Sequence, residues 1–407
     1  MTAIPPDTAP RRLVVAHVVK TLSVGGVQRV LLEILKHTDT TRFQPIVLCM
    51  ERRGEWGEEL AANGMQVDLF GREYPWRHVF SRKMLGLWSL VRWLRANRVD
   101  VLHIHMPKAA LFLILAGKLA GVPCVVLHHH ALYRDHHWAS LSPARLWMES
   151  RVTRLADVLI AVSETVSACT RETFGLPPER IAVVPNAGIS QDPGGAAPQL
   201  AAPCPEVPAG AKVIGVVGRT VPDKCFEDLL DAAPRVLARE PDTQFWIVGD
   251  ETGNQSVRPQ LEEQARRLGL EKNVHFLGFR NDVPALLTRL QIGVVCSRTE
   301  GCPNTLLEFM GAGVPTVVTD IPSLTIVVEH EKSALVVPLH NPERLADTLV
   351  RLIQDPALAQ RLAAEAHRAS QTYSWSDATA ACEALYQRVL SRKGKWPGEG
   401  RDENPAG

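Results

Sequence analysis

IGVVCSRTEGCPNTLLEFMGAGVPTVVTD, residues 292–320, reads as one complete strand–loop–helix–strand unit. The valine-rich start at 292–295 has the apolar run of a buried parallel strand, and PTVVTD supplies the next strand. Between them Pro303 suits a first helical turn, where its missing N–H would have had no partner anyway. On a 3.6-residue period Leu306, Leu307, Phe309 and Met310 share one face, while Glu308 projects from the opposite side beside Asn304, Gly311 and Ala312. Glu300 falls in the loop, eight residues before Glu308. One carboxylate on the loop and one on the helix can converge on a single ligand. The helix N-terminus between them offers N–H groups and partial positive charge, which suit a phosphate. Two solvated acids would show the same spacing.

The strand–helix alternation continues on both sides of this unit. Before it come KVIGVVG, a helix from Phe226, TQFWIVG, a helix near 260–268, VHFLG and a short helix near Pro284. After it come ALVVP and three closing helices at about 342–354, 357–370 and 376–390. An earlier series opens with LVVAHVV and a helix at about 27–36, and runs through FQPIVLCM, VDLF, DVLHIHM, CVVLHHH and DVLIAVS to IAVVP. Such βα runs imply parallel sheets wrapped by helices, and a chain of 407 residues suits two domains. Residues 191–210, QDPGGAAPQLAAPCPEVPAG, have no period and read as a linker. The expected organisation is a leader at 1–12, a first α/β domain at 13–190, the linker, and a second α/β domain at 211–372. The closing helix 376–390 returns to the first domain, and the polar tail 391–407 is expected to be disordered.

Composition narrows the function. Lys plus Arg number 45 against 44 Asp plus Glu, so no global field points to nucleic acid. Eight cysteines without a C-x-x-C pair, and no signal-peptide pattern, suggest reduced thiols in the cytoplasm. Apolar runs such as 109–117 fall far short of the roughly 20 residues needed to span a bilayer. One local feature stands out at 72–98, where Arg72, Arg77, Arg82, Lys83, Arg92, Arg95 and Arg98 face only Glu73 and alternate with Tyr74, Trp76, Phe80, Trp88 and Trp93. It reads either as a solvated helix over a packed aromatic face or as a peripheral segment on an anionic membrane surface.

Chemistry-bearing residues gather at strand-to-helix loops. The strand VIGVVG ends in Gly218-Arg219, and Lys224 precedes the helix from Phe226. An arginine fork and a lysine point charge there suit a diphosphate, more so in the same domain as the Glu300/Glu308 loop. Gly25 and Gly26 sit at the turn after the first strand, where paired glycines allow close ligand approach or make an ordinary tight turn. His103 and His105 alternate on one strand, and His128, His129, His130, His136 and His137 cluster nearby. Adjacent strand histidines point to opposite faces and no Cys or carboxylate stands at a companion spacing, so no metal site is expected and His105 is read as structural.

In that order, GRTVPDKCFEDLLDA, WIVGDE, VHFLGFRNDV and SRTEGCPNTLLEFMGAGVPTVVTD resemble the nucleotide-sugar domain of retaining glycosyltransferases of family 4, the group 1 glycosyl transferases. GGVQR, DVLHIHMP, GVPCVVLHHH, ADVLIAVSE and RIAVVPNAG resemble the acceptor-binding domain of the same family, and the likeness spans about 13–390. It implies the α/β GT-B fold, two Rossmann-like domains with parallel sheets facing across a cleft.

The resemblance also implies roles. Arg219 and Lys224, beside Gly218, would bind the diphosphate, Glu300 the sugar hydroxyls and Glu308 the ribose hydroxyls. Backbone of Gly301, Cys302, Pro303, Asn304 and Thr305 would cap the distal phosphate, and Gly278, Phe279 and Arg280 would flank the base. Gly25 and Gly26 would approach the phosphate from across the cleft, with His129 near the sugar. The chain departs from the pattern at Ile321-Pro322-Ser323-Leu324, where the family usually has a glycine pair and a Glu. It departs again at Ala187-Gly188-Ile189-Ser190 and after Asp250.

The function so implied is retaining transfer of a sugar from a UDP- or GDP-linked co-substrate to a glycan or lipid-linked acceptor, with no cofactor and no essential metal. The alternatives are a sugar-nucleotide epimerase of the same architecture, which would need catalytic acids in the first half, and a non-catalytic nucleotide- or metal-binding protein.

Overall fold

The structure, a computed structural model, describes residues 11–23, 25–70, 80–132, 142–188, 200–249 and 256–397. Apolar, valine-rich runs form strands buried on both faces, and the amphipathic segments between them form the helices that cover those faces. In the first half the order is β1 (Leu13–Thr21), α1 (Gly26–His37), β2 (Phe43–Arg52), α2 (Gly54–Ala62), β3 (Val67–Leu69) and α3 (Phe80–Ala96). It continues with β4 (Val101–Ile104), α4 (Ala110–Ala120), β5 (Cys124–His129), α5 (Pro143–Thr153), β6 (Val158–Ala161), α6 (Glu164–Phe174) and β7 (Ile181–Val183). The second half has β8 (Val213–Val217), α7 (Phe226–Leu237), β9 (Gln244–Val248), α8 (Arg258–Arg267), β10 (Val274–Gly278), α9 (Val283–Leu287) and β11 (Ile292–Val295). Then come α10 (Asn304–Gly311), β12 (Thr316–Thr319), α11 (Pro322–Thr325), β13 (Leu335–Val337), α12 (Pro342–Gln354), α13 (Pro356–Ser370) and α14 (Trp375–Arg392).

Two parallel sheets result. Their strand orders are β3-β2-β1-β4-β5-β6-β7 and β10-β9-β8-β11-β12-β13. In each, the chain lays down strands to one side of the first strand and then returns to its other side. The order therefore reverses between β1 and β4 in one sheet and between β8 and β11 in the other. Loops leaving the carboxyl ends of strands at such a reversal diverge and leave a crevice, where ligands of open α/β sheets bind.

The chain divides into one compact unit made of residues up to Pro185 together with Trp375 onward, and another from Asn186 to Ser374. Helix α14 belongs to the first, where it packs against α1 and β5. Residues 191–199 of the expected linker, and 189–190 before it, lie outside the described residues. In 200–210, Leu200, Cys204 and Val207 pack on the core of the second unit. The expected disordered tail starts as ordered chain, because α14 runs to Arg392 and Lys393 then pairs with Asp157 at 2.7 Å. Trp396 stacks near Phe43 and under the Arg42 guanidinium, 4.9 Å from the ring centre. Residues 398–407 lie outside the described residues.

Candidate functional site

Sequence order at the β8/β11 reversal places four segments together. Strand β8 ends at Val217, and Gly218 extends the sheet by donating its N–H to the Val248 carbonyl at 2.9 Å. Gly249 then donates to the Gly278 carbonyl at 2.7 Å, so a glycine follows β8 and β9 and ends β10. A Cβ on Gly249, whose φ is +122°, would lie 2.0 Å from the Gly218 carbonyl oxygen. No other residue fits there. Arg219 follows, exposed at the sheet edge, and the chain tightens into a 3-10 turn at Pro222–Lys224. Cys225 closes this turn in the left-handed region at φ +48°, which sends α7 into the core and leaves Lys224 on the crevice side.

From β11, the Ser297–Pro303 loop brings Glu300 to Lys224. The ammonium Nζ donates to Oε1 of Glu300 at 2.5 Å, and the Ser297 hydroxyl donates to the same oxygen at 2.7 Å. Both side chains are mostly shielded, at 18% and 11% exposure, so the pair is less screened than a surface ion pair. Further bonds fix the loop. Thr319 Oγ1 donates to the Ser297 carbonyl at 2.6 Å, and the Cys296 thiol points to the Lys224 carbonyl at 3.3 Å. Arg298 grips Asp223 with Nε and a terminal nitrogen at 2.9 and 2.7 Å, and the Arg298 N–H donates to the Asp223 carbonyl at 3.0 Å.

Helix α10 completes the crevice. Pro303 caps it, one residue earlier than the first-turn place its sequence suggests, and no side chain caps its N-terminus among the described residues. Thr305 Oγ1 donates to the Val217 carbonyl at 3.1 Å, which ties this N-terminus to the end of β8. Leu306, Leu307, Phe309 and Met310 are fully buried, and Glu308 lies on the other face, as the 3.6-residue period requires.

Asn186 and Gly188 also support the helix. Asn186 Nδ2 donates to Asn304 Oδ1 at 2.9 Å, and a Cβ on Gly188 would lie 2.4 Å from the Leu307 carbonyl oxygen. The sequence reading gave no role to Ser297, Asn186 or Thr319. Cys302 packs against the core of the second unit, and burial pushes its thiol up to about 12.

The loop after β10 divides its expected roles. Arg280 spends its guanidinium on Asp282, at 2.7 and 2.6 Å, and on the carbonyls of Ala202 and Pro203, at 2.8 and 3.1 Å. Its hydrogen bonds hold the Asp282 carboxyl down at about 2 against the cost of burial. Arg280 thus clasps residues 201–204. Phe279, 51% exposed, is the large apolar side chain this loop leaves open to solvent.

In the first unit Gly25 is the N-cap of α1 with φ 172°, ordinary extended backbone, and Gly26 is the first helical residue. His129 ends β5 in register with Ala161 of β6 and is fully buried, with its imidazole held down to about 3 by burial and then by His130. His103 and His105 lie in one buried cluster with His17, His128 and His130, and burial favours the neutral form of each. His136 and His137 lie outside the described residues.

Comparison with known proteins finds similarity to glycosyltransferases. Residues 211–355 match the family model described as glycosyl transferases group 1, and residues 24–187 match that described as glycosyltransferase family 4. A D-inositol 3-phosphate glycosyltransferase of Thermobispora bispora is 31% identical over 73% of this chain and 72% of its own length. A phosphatidyl-myo-inositol mannosyltransferase of Mycobacterium leprae is 30% identical over 75% of this chain and 77% of its own. An Escherichia coli galactosyltransferase, named for UDP-Gal and α-D-GlcNAc-diphosphoundecaprenol, is 27% identical over 85% and 89%. Among solved structures, a glycosyltransferase of Rickettsia africae aligns with a TM-score of 0.79 at 17% identity, over 93% of this chain and 99% of its own. The Anabaena protein HepE, in complex with UDP and glucose, aligns at 0.75 and 22% identity, over 91% and 98%.

Proposed function

This chain belongs to the group 1, family 4 glycosyltransferases, enzymes of GT-B fold acting on nucleotide-sugar donors, and from that premise we propose that it moves a hexose with retention of configuration to a lipid-linked or glycan acceptor. The observation that carries the proposal is the Lys224–Glu300–Ser297 array at the β8/β11 reversal, beside Arg219 and the N-terminus of α10.

Departure of a nucleoside diphosphate concentrates negative charge on its distal phosphate and positive charge on the anomeric carbon. Lys224 and Arg219 stabilise the phosphate, and so do the N–H groups of the α10 first turn, without reorganising as charge develops. Glu300, held by Ser297, orients the sugar hydroxyls, and Glu308 accepts from the ribose. The anomeric C–O bond to phosphate breaks as the acceptor oxygen attacks from the same face, and the departing phosphate oxygen takes the acceptor proton. A separate carboxylate base is then not needed. The two cations neutralise the diphosphate in the role a divalent ion plays in other transferases.

The lipid-linked acceptor rests on the lipid substrates for which two relatives are named and on the surface of the first unit. Among the described residues no helix is long and apolar enough to cross a membrane. On α3, however, Leu85 and Trp88 are 59% and 57% exposed beside exposed Arg92, and on α5, which packs on the intervening α4, Trp147 is 63% exposed. Other members of the 72–98 cluster have internal roles: Trp93 Nε1 donates to Asp68 at 2.9 Å, and Arg95 donates to the Leu119 carbonyl at 2.7 Å. Residues 72–79 lie outside the described residues. Docking through Trp88, Arg92 and Trp147 to anionic lipid is expected to be lost on Trp88→Ser with Trp147→Ser in vesicle co-sedimentation, and equal sedimentation of the variant contradicts it.

Incubation with a panel of UDP- and GDP-sugars tests the function itself. Release of nucleoside diphosphate with a retained glycosidic product or slow hydrolysis supports it. Isomerised sugar nucleotide, or no turnover of any donor, overturns it.

A further inference from the structure

Five imidazoles occupy one face of the first sheet, and sugar transfer as derived above uses none of them. Parallel register puts His17 of β1 level with His103 of β4, and His103 level with Val126 of β5. Side chains two residues apart on a strand point the same way. His17, His103, His105, His128 and His130 therefore share a face, and His129 points away from it. The cluster lies at the carboxyl ends of β4 and β5. Tyr386 of α14 covers its inner side, with its hydroxyl 2.5 Å from His103 Nδ1.

The hydrogen bonds divide these rings into an inner pair and an outer trio. His17 Nδ1 stands 3.2 Å from His105 Nε2, and His103 Nε2 stands 3.1 Å from His128 Nδ1. Those contacts use one nitrogen each of His105 and His128, leaving His105 Nδ1 and His128 Nε2 to the outer side. His105 Nδ1 is 3.0 Å from His130 Nε2. His128 Nε2 is buried and has no hydrogen-bond partner among the described residues. Burying such an atom without a partner is costly. One ring nitrogen from each of His105, His128 and His130 lies within 4.8 Å of the other two.

We propose that His105, His128 and His130 form a binding site for one divalent transition-metal ion of the zinc class, with His17 and His103 as the outer partners that fix the ligating nitrogens. Imidazole ligands without carboxylate select zinc, cobalt, nickel or copper over magnesium or calcium. A tetrahedral ion bound at roughly 2.0–2.1 Å holds its nitrogens about 3.3 Å apart, close to the present 3.0 Å between His105 Nδ1 and His130 Nε2. Coordination moves the proton shared by those two atoms to the far nitrogen of its own ring, at His130 Nδ1 or His105 Nε2. The latter faces His17. Tyr386, His103 and His17 then do what the outer partners of metal-bound histidines do, orienting the rings and fixing the tautomer. His130 is only partly buried, unlike the other two, so the ion enters from its side and a water completes the shell. All five histidines belong to the first unit, and the inference is independent of the donor assignment.

The test uses the untagged full chain, stripped with chelator and titrated with cobalt(II). One equivalent is expected to bind with the intense visible absorption of a four-coordinate ion, to be displaced by zinc, and to raise the thermal midpoint. His130→Ala, at the open side of the trio, is expected to weaken binding at least tenfold. His103→Phe, which leaves all three ligands in place, is expected to weaken it by about 10–100-fold. A weak six-coordinate spectrum, less than stoichiometric binding, or an isotherm unchanged in His130→Ala overturns the proposal. The wild-type spectrum decides even if a variant fails to fold.

Discussion

Lys224 reaches the crevice because the residue after it, Cys225, turns left-handed and buries its thiol in the second core, where burial pushes it up to about 12. Its ammonium then meets a carboxylate already oriented by Ser297. Lys224→Ala and Arg219→Ala are each expected to lower turnover by a factor on the order of a hundred or more, the scale for losing one charge-stabilising group in a transition state. Glu308→Ala is expected to act mainly on nucleotide binding. Its nucleotide Kd, read by calorimetry, should rise about tenfold or more with a smaller change in kcat, and an unchanged Kd removes Glu308 from the ribose. The types and order of these residues were legible in the sequence, since a cation pair after one strand and an acid pair after another fit one ligand. Their mutual contact was not. Ser297 stands only three residues before the carboxylate it holds, but its own carbonyl is fixed by Thr319, and Asn186 acts on Asn304, contacts that the fold brings from further along the chain and that no local pattern marks. For the same reason the hold of the Arg280 guanidinium on Asp282 and two carbonyls could not be read from the loop's sequence.

At the scale of elements, the crevice depends on glycine ends of strands and on one clasp. Gly249→Ala would drive a Cβ into the Gly218 carbonyl at a φ that disfavours any side chain. The variant is expected to melt lower and to bind nucleotide more weakly, and wild-type values for both would show that the β8 and β9 ends are not coupled in this way. Asp282 gives a prediction with pH. Its carboxyl is held at about 2 in the folded chain against an ordinary value near 3.9. The folded state therefore binds fewer protons than the unfolded one, and the stabilisation is complete above about pH 4 and lost as pH falls toward 2. Asp282→Asn should cost on the order of 2 kcal/mol at pH 7, and much less near pH 2.5, in denaturant midpoints. A penalty independent of pH would contradict the clasp. Periodicity identified the strands and helices well because each helix has one buried face and each strand is flanked by Gly, Pro or polar turns. It could not supply register. His17, His103 and His128 look unrelated along the chain, and become neighbours only because β1, β4 and β5 lie side by side.

For the whole molecule, the repeated βα pattern already pointed to two α/β units. The return of α14 to the first unit depends on Tyr386 packing beneath the histidine-bearing strands and on Lys393 meeting Asp157. Little in the composition of the final segment showed that its first residues are ordered. The central claim is that a nucleotide-sugar is held and cleaved at the β8/β11 reversal of the second unit. It is tested most directly by measuring nucleoside diphosphate release from the donor panel with the wild-type chain and Lys224→Ala in parallel. The account predicts release from at least one UDP- or GDP-sugar by the wild type and a loss of about a hundredfold in the variant; equal rates for the two would contradict it.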